Sequence, residues 1–194
     1  MGNLTSYRLS DFILFSETAY YRQFEIYNQS IWPLQIVALL FSLFILYALW
    51  KKPAWAGQVM SGLLIVSWSW VAWAFLYQRF YQIHVVADWY ALCFFLQAGL
   101  FTWYGVRKDR FNMITSNQSR LYIGYLLLLV SIIFYPFIAM LSDRDWMQFE
   151  MFAVAPDPTV LATLAILIIF KAPKVLYVIP ISWVIVSGAT LSVM

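Results

Sequence analysis

Phe149-Glu150-Met151-Phe152-Ala153-Val154-Ala155-Pro156-Asp157-Pro158-Thr159 sets a carboxylate between two prolines, directly ahead of an apolar run that closes at Phe170. As a helix, Thr159 to Phe170 covers about 18 Å at 1.5 Å per residue, short of the roughly 30 Å hydrocarbon core of a bilayer. The stretch therefore decides between two folds. Either residues 152–158 enter the membrane as irregular backbone ahead of a short span, or a longer helix begins near Phe149 and kinks at the prolines. Irregular backbone at that depth is tolerated only where protein or a watery cavity surrounds it.

Composition supplies the bilayer. Hydrophobic residues make up 63% of the chain and charged residues 11%, and mean hydropathy is +0.75. Soluble domains carry about 45–50% apolar and about 25% charged residues, so this chain has too little polar surface to cover itself in water. Its aromatic content of 20% fits a membrane, because Trp and Tyr anchor at the headgroup level. The net charge of +3 comes from cations scattered over short loops, not from a single patch, which argues against a nucleic-acid partner. One cysteine (Cys93) and one histidine (His84) exclude a multi-cysteine cluster or a two-histidine haem within one chain. No cofactor is expected.

Hydropathy predicts an all-α integral membrane protein of about six transmembrane helices in residues 32–194, preceded by an amphipathic segment, 1–31. In that segment Phe12, Phe15, Ala19, Tyr20, Phe24 and Tyr27 recur at helical spacing, with Ser10 as a plausible N-cap. Low Lys/Arg content favours packing on protein over lying on anionic lipid. The expected spans are Trp32–Trp50, Gln58–Tyr77, His84–Val106, Leu121–Leu141 (interrupted by Pro136), the short Thr159–Phe170, and Val175–Met194. Loops after spans one, three and five hold eight cations: Lys51, Lys52, Arg107, Lys108, Arg110, Arg120, Lys171 and Lys174. The opposite side holds four: Arg8, Arg22, Arg79 and Arg144. Cytoplasmic loops are enriched in Lys and Arg, so both termini are expected outside the cytoplasm.

Tyr27-Asn28-Gln29-Ser30-Ile31-Trp32-Pro33-Leu34-Gln35 and Phe152–Thr159 resemble the two hallmark stretches of an uncharacterised bacterial multi-pass membrane family, known only as a domain of unknown function. The likeness extends through Tyr135-Pro136 and the Val178–Trp183 run. It implies a bacterial inner (plasma) membrane and no particular activity.

The candidate polar pocket is His84, Asp88, Asp157, Thr159, Asn28 and Gln35. Asp157 has a plain structural reading as an N-cap before a proline at the first helical position. In the functional reading, a carboxylate at a helix start inside the membrane binds a cation or relays a proton. His84 and Asp88 are four apart, hence on one face of a continuous helix; a hydrogen-bonded structural pair and a two-ligand site both fit. Glu17, Glu25, Asp143, Asp145 and Glu150 are expected on the same outer side, completing an acidic vestibule. Cys93 and Gln97 read as packing and an interhelical hydrogen bond, and Trp68, Trp70 and Trp73 as helix packing. No nucleotide, metalloprotease or nucleophile motif is present. These features predict a small transporter, channel or solute-binding protein with an external polar pocket. The alternative is a non-catalytic subunit or scaffold packing on a partner complex. The expected partners are the lipid bilayer and a small ion or solute, with a homo-oligomer or a membrane partner left open.

Overall fold

A computed structural model describes residues 16–84, 86–107, 111, 117–142 and 144–193. Ser10, Phe12, Phe15, the Lys108–Arg110 charges and Asp143 lie outside the described residues. All regular structure within them is helical.

Helix α1 (Glu17–Ser30) starts where the Ser16 hydroxyl accepts the Ala19 N–H at 3.2 Å, satisfying one of the free donors of a helix start. Tyr20, Phe24 and Tyr27 form its buried face. Phe24 stacks on Phe75 with ring centroids 4.6 Å apart, and Tyr27 meets the same ring edge-on at 5.3 Å. The apolar stripe thus packs on protein.

Helix α2 (Leu34–Lys51) stops at Lys52, whose φ of 50° turns the chain out of the helix. Helix α3 (Ala56–Trp70) runs on as wide, π-helical turns over Val71–Tyr77. Helix α4 (Ala87–Phe101) does the same over Thr102–Arg107. Helix α5 (Gln118–Leu129) continues through wide turns at Val130–Phe134 and a tight turn at Tyr135–Phe137 into α6 (Ile138–Leu141). Pro136 lacks an N–H and forces this change of helical pitch without ending the rod. Helix α7 is Pro156–Ile169, and α8 is Val178–Val193, entered by a tight turn over Lys174–Tyr177.

Among the described residues four helical runs are long and apolar enough to cross a membrane: Leu34–Lys51, Ala56–Gln82, Gln118–Leu141 and Lys174–Val193. Hydropathy predicts six. The remaining two are α4, whose apolar character is diluted by Asp88, Gln97 and Thr102, and α7, at 14 residues.

Helix α7 is the centre of the molecule. Eleven of its residues are buried, and α3, α5 and α8 pack around it. The closest seam is with α5. A Cβ on Gly124 would stand 2.5 Å from the Ile169 side chain and 3.2 Å from the Ala165 carbonyl oxygen, so glycine is what lets the backbones approach. Trp68 of α3 crosses to α7 and donates its indole N–H to Thr163 at 2.8 Å. It also packs on Phe94 at 4.3 Å, and Phe94 meets Trp183 at 5.0 Å. Of the three tryptophans read as packing, Trp68 is fully buried, while Trp73 is half exposed and stacks on Tyr77. Gln97 makes the expected interhelical bond, donating to the Leu176 carbonyl at 3.0 Å.

The chain ahead of α7 combines features of the two expected geometries. Irregular backbone runs only to Ala155, where the Val154 and Ala155 N–H groups both reach the Met151 carbonyl at 3.3 and 3.0 Å. Ala153 takes a φ of 71°, a left-handed conformation disfavoured for residues with a Cβ. Phe152 to Ala155 are buried in protein. The helix then begins at Pro156, earlier than hydropathy places it, because proline's fixed φ suits the first helical position.

Candidate functional site

Asp157 is the second residue of α7 and not its N-cap; that place belongs to Ala155, which has no side chain to cap with. The carboxylate is therefore free of capping duty and turns to side chains of other helices. Its Oδ1 accepts the Trp183 indole N–H at 2.6 Å, and its Oδ2 accepts the Ser187 hydroxyl at 2.8 Å. Trp183 and Ser187 are four apart on α8 and so share a face. The Tyr135 hydroxyl reaches Oδ2 at 3.2 Å, long for an O–H···O bond. A carboxylate has about four acceptor positions, so one remains uncommitted. The positive end of α7 adds stabilisation to the ionised form.

Asp157 is 8% exposed, and it lines a cleft of about 160 Å³ between the tight turn at Tyr135–Phe137, α7 and α8. Asp157, Tyr135, Trp183 and Ser187 supply its polar groups, and Leu161, Val184 and Leu191 its apolar wall. Gly188 also lines it, and a Cβ there would meet nothing within 4 Å. The site is a carboxylate set in a mostly apolar slot.

A second buried carboxylate lies on the same side. Glu150 accepts from Arg144 at 3.4 Å, and the Arg144 guanidinium lies 4.0 Å over the Tyr21 ring. Burial pushes the Glu150 carboxyl up to about 8, the Asp157 charge adds to this, and Arg144 opposes it. Its Oε2 is buried and has no hydrogen-bond partner among the described residues. Burial also raises the Tyr20 hydroxyl, reinforced by the charges of Asp157 and Glu150. The charge of Asp157 is thus felt at Glu150.

The other expected pocket residues have different duties. Thr159 is fully buried; its hydroxyl accepts the Ala153 N–H at 2.9 Å and donates to the Ala155 carbonyl at 2.6 Å. It holds the left-handed turn. Asn28 donates to the Met147 and Phe149 carbonyls, both at 2.8 Å, and Gln35 donates to the Asn28 carbonyl at 2.7 Å. These two tie α1, α2 and the chain before α7 together. His84 precedes α4 and packs between the Phe80 and Tyr90 rings at 5.2 and 5.5 Å; burial lowers its pKa. Asp88 is exposed in the first turn of α4 and accepts the Trp89 N–H at 2.9 Å. The one-face relation read from their spacing does not form, since the helix starts at Ala87. His84 nonetheless approaches Asp157 through aromatic contacts, because Tyr90 meets Trp183 edge-on at 5.5 Å. Of the vestibule acids, Glu25 pairs with Arg22 at 2.6 Å and Asp145 caps Met147 at 2.7 Å. Among the described residues no group of three or more His, Cys, Asp or Glu is placed to hold a metal.

Sequence reasoning missed Tyr135, Trp183, Ser187 and Gly188 as site residues. Tyr135 and Trp183 were visible inside the stretches that carry the resemblance, and Ser187 follows Trp183 at helical spacing.

A family model described as a family of unknown function (DUF6064) matches residues 17–194. The chain belongs to DUF6064. The match agrees with the resemblance read from Tyr27–Gln35 and Phe152–Thr159, and it spans every helix described above. No curated protein and no solved structure matches this DUF6064 chain.

Proposed function

We propose that this DUF6064 protein is a multi-pass inner-membrane protein that binds, and as a transporter would carry, a small amphiphile with a cationic head. The head sits on Asp157 and the hydrocarbon part lies along Leu161, Val184 and Leu191. The observation that carries this reading is the opening of the Asp157 carboxylate, with one acceptor position to spare, on an apolar cleft. A protonated amine fills that position and neutralises a charge that is costly to keep in an apolar setting. Apolar ligand pockets with a few convergent polar groups are the usual form of a small-molecule site.

The membrane reading is supported by outward faces rich in leucine and isoleucine, such as Leu40, Leu126 and Ile185, each more than half exposed. Soluble proteins rarely expose contiguous apolar patches above a few hundred Å². In this reading α4 and α7 also cross, giving six passes, with both termini outside the cytoplasm. Helix α7 tolerates its short length because protein encloses it.

A second reading has its own support. The bonds from Trp183, Ser187 and Tyr135 tie α8 and the Tyr135–Phe137 turn to α7, so Asp157 alternatively serves as a staple in a scaffold subunit. Thermal unfolding of the full chain in phospholipid nanodiscs separates the two. The binding reading expects hexylammonium to raise the midpoint saturably and hexanoate to leave it unchanged. Gly188→Leu, which fills the cleft, should abolish the shift while the protein stays folded. No shift in the unsubstituted protein, or an undiminished one in Gly188→Leu, leaves the staple reading standing.

A further inference from the structure

Arg79 stands at the end of the α3 run, on the side where α1 meets α2. It lines a cleft of about 420 Å³ with Tyr27, Ser30, Gln78 and the indoles of Trp32 and Trp73. Among the described residues no carboxylate lies within 4 Å of its guanidinium; the ion pairs there are Arg22–Glu25 and Arg144–Glu150.

Two apolar grooves continue from this cleft through shared walls. One, of about 90 Å³, is lined by Leu34, Val37, Phe41, Val66 and Trp70. The other, of about 500 Å³, is lined by Ile65, Val66, Trp70, Trp73 and Phe95. Trp70 borders all three cavities, Leu34 joins the first groove to the cleft, and Trp73 joins the second. Along the α3 run, Val66 lies roughly 15–20 Å from Arg79 at helical rise. A polar chamber with a cation unpaired among the described residues thus opens onto two apolar channels.

We infer that this is a site for one bilayer phospholipid, with its phosphodiester on Arg79 and its two acyl chains in the grooves either side of Val66. The inference rests on the membrane reading above and concerns a different site from Asp157. Three observations select the occupant. A phosphodiester complements the planar guanidinium fork, which grips phosphate through two parallel hydrogen bonds. Exposed Trp32, Trp73, Tyr77 and Tyr81 ring the same end of the helix, as aromatics do at headgroup level. Two apolar grooves reached from one polar chamber fit a two-chain lipid and have no counterpart in a soluble phosphate.

Native mass spectrometry tests this on the full chain, purified in detergent and supplied with dioleoyl phosphatidylglycerol. One lipid should remain bound per chain. Arg79→Gln should weaken retention by about ten-fold or more, corresponding to loss of a charge-assisted contact, and Arg79→Lys should recover part of it. Val66→Trp, which blocks both grooves from an exposed position, should also reduce retention. Glycerol 3-phosphate in large excess should not displace the lipid. The inference is overturned by absence of bound lipid in the unsubstituted protein. Retention in Arg79→Gln or Val66→Trp undiminished from that of the unsubstituted protein, or displacement by glycerol 3-phosphate, overturns it as well. The hexylammonium shift is read on the same variants in nanodiscs, so failure here and failure at Asp157 are separately visible.

Discussion

A proline on either side of Asp157 removes two backbone donors in all from the first turn of α7, which leaves the carboxylate to find side-chain donors elsewhere. It finds Trp183, Ser187 and Tyr135. Replacing Asp157 with Leu strands those donors in a buried place, at a cost of about 2–4 kcal/mol. Asp157→Asn, which keeps an acceptor oxygen, should cost less; equilibrium unfolding in mixed detergent micelles measures both. Glu150 gives a pH signature. Its folded carboxyl titrates near 8, above its ordinary value of 4.5, so the folded state binds the proton more tightly than the unfolded chain. That stabilisation is full below about pH 4.5 and is lost as pH rises through about 8. The thermal midpoint should therefore fall across that window, and Glu150→Gln should flatten the fall. At this scale the sequence exposed Asp157 by its odd setting between prolines. It misdirected on His84 and Asp88, because spacing implies a shared face only when both residues lie in one helix, and the turn at Phe80–Gln82 delays α4 to Ala87.

Helix α7 owes its central place to small residues on its neighbours and to its own uniform apolarity. Gly124→Ala drives a methyl into Ile169 and the Ala165 carbonyl. Overpacking of this kind costs about 1–3 kcal/mol, and the same unfolding measurement should find it. Gly62→Ala, at a position with nothing within 4 Å, is the control and should be neutral or mildly stabilising. Trp68→Phe keeps the ring packing and loses the bond to Thr163, a loss of about 1 kcal/mol. The helices were legible from hydropathy to within a few residues. The start of α7 was not, because proline at the first helical position and the left-handed turn at Ala153 are decided by local backbone geometry and by the Thr159 hydroxyl, which hydropathy does not register.

Across the whole molecule, charge bias along the loops implies an orientation. With Cys93 replaced by Ala, a cysteine at Gln82 should react with a membrane-impermeant maleimide in intact cells. One at Lys52 should react only after lysis, and the reverse pattern would invert the topology. Bundle and central helix together hold one carboxylate at the foot of an apolar slot. That arrangement is tested most directly by calorimetric titration of hexylammonium into the chain in nanodiscs, alongside Asp157→Asn. The account predicts one saturable site per chain, lost in Asp157→Asn although that variant remains folded. Heats that are absent, or the same in both proteins, would contradict it.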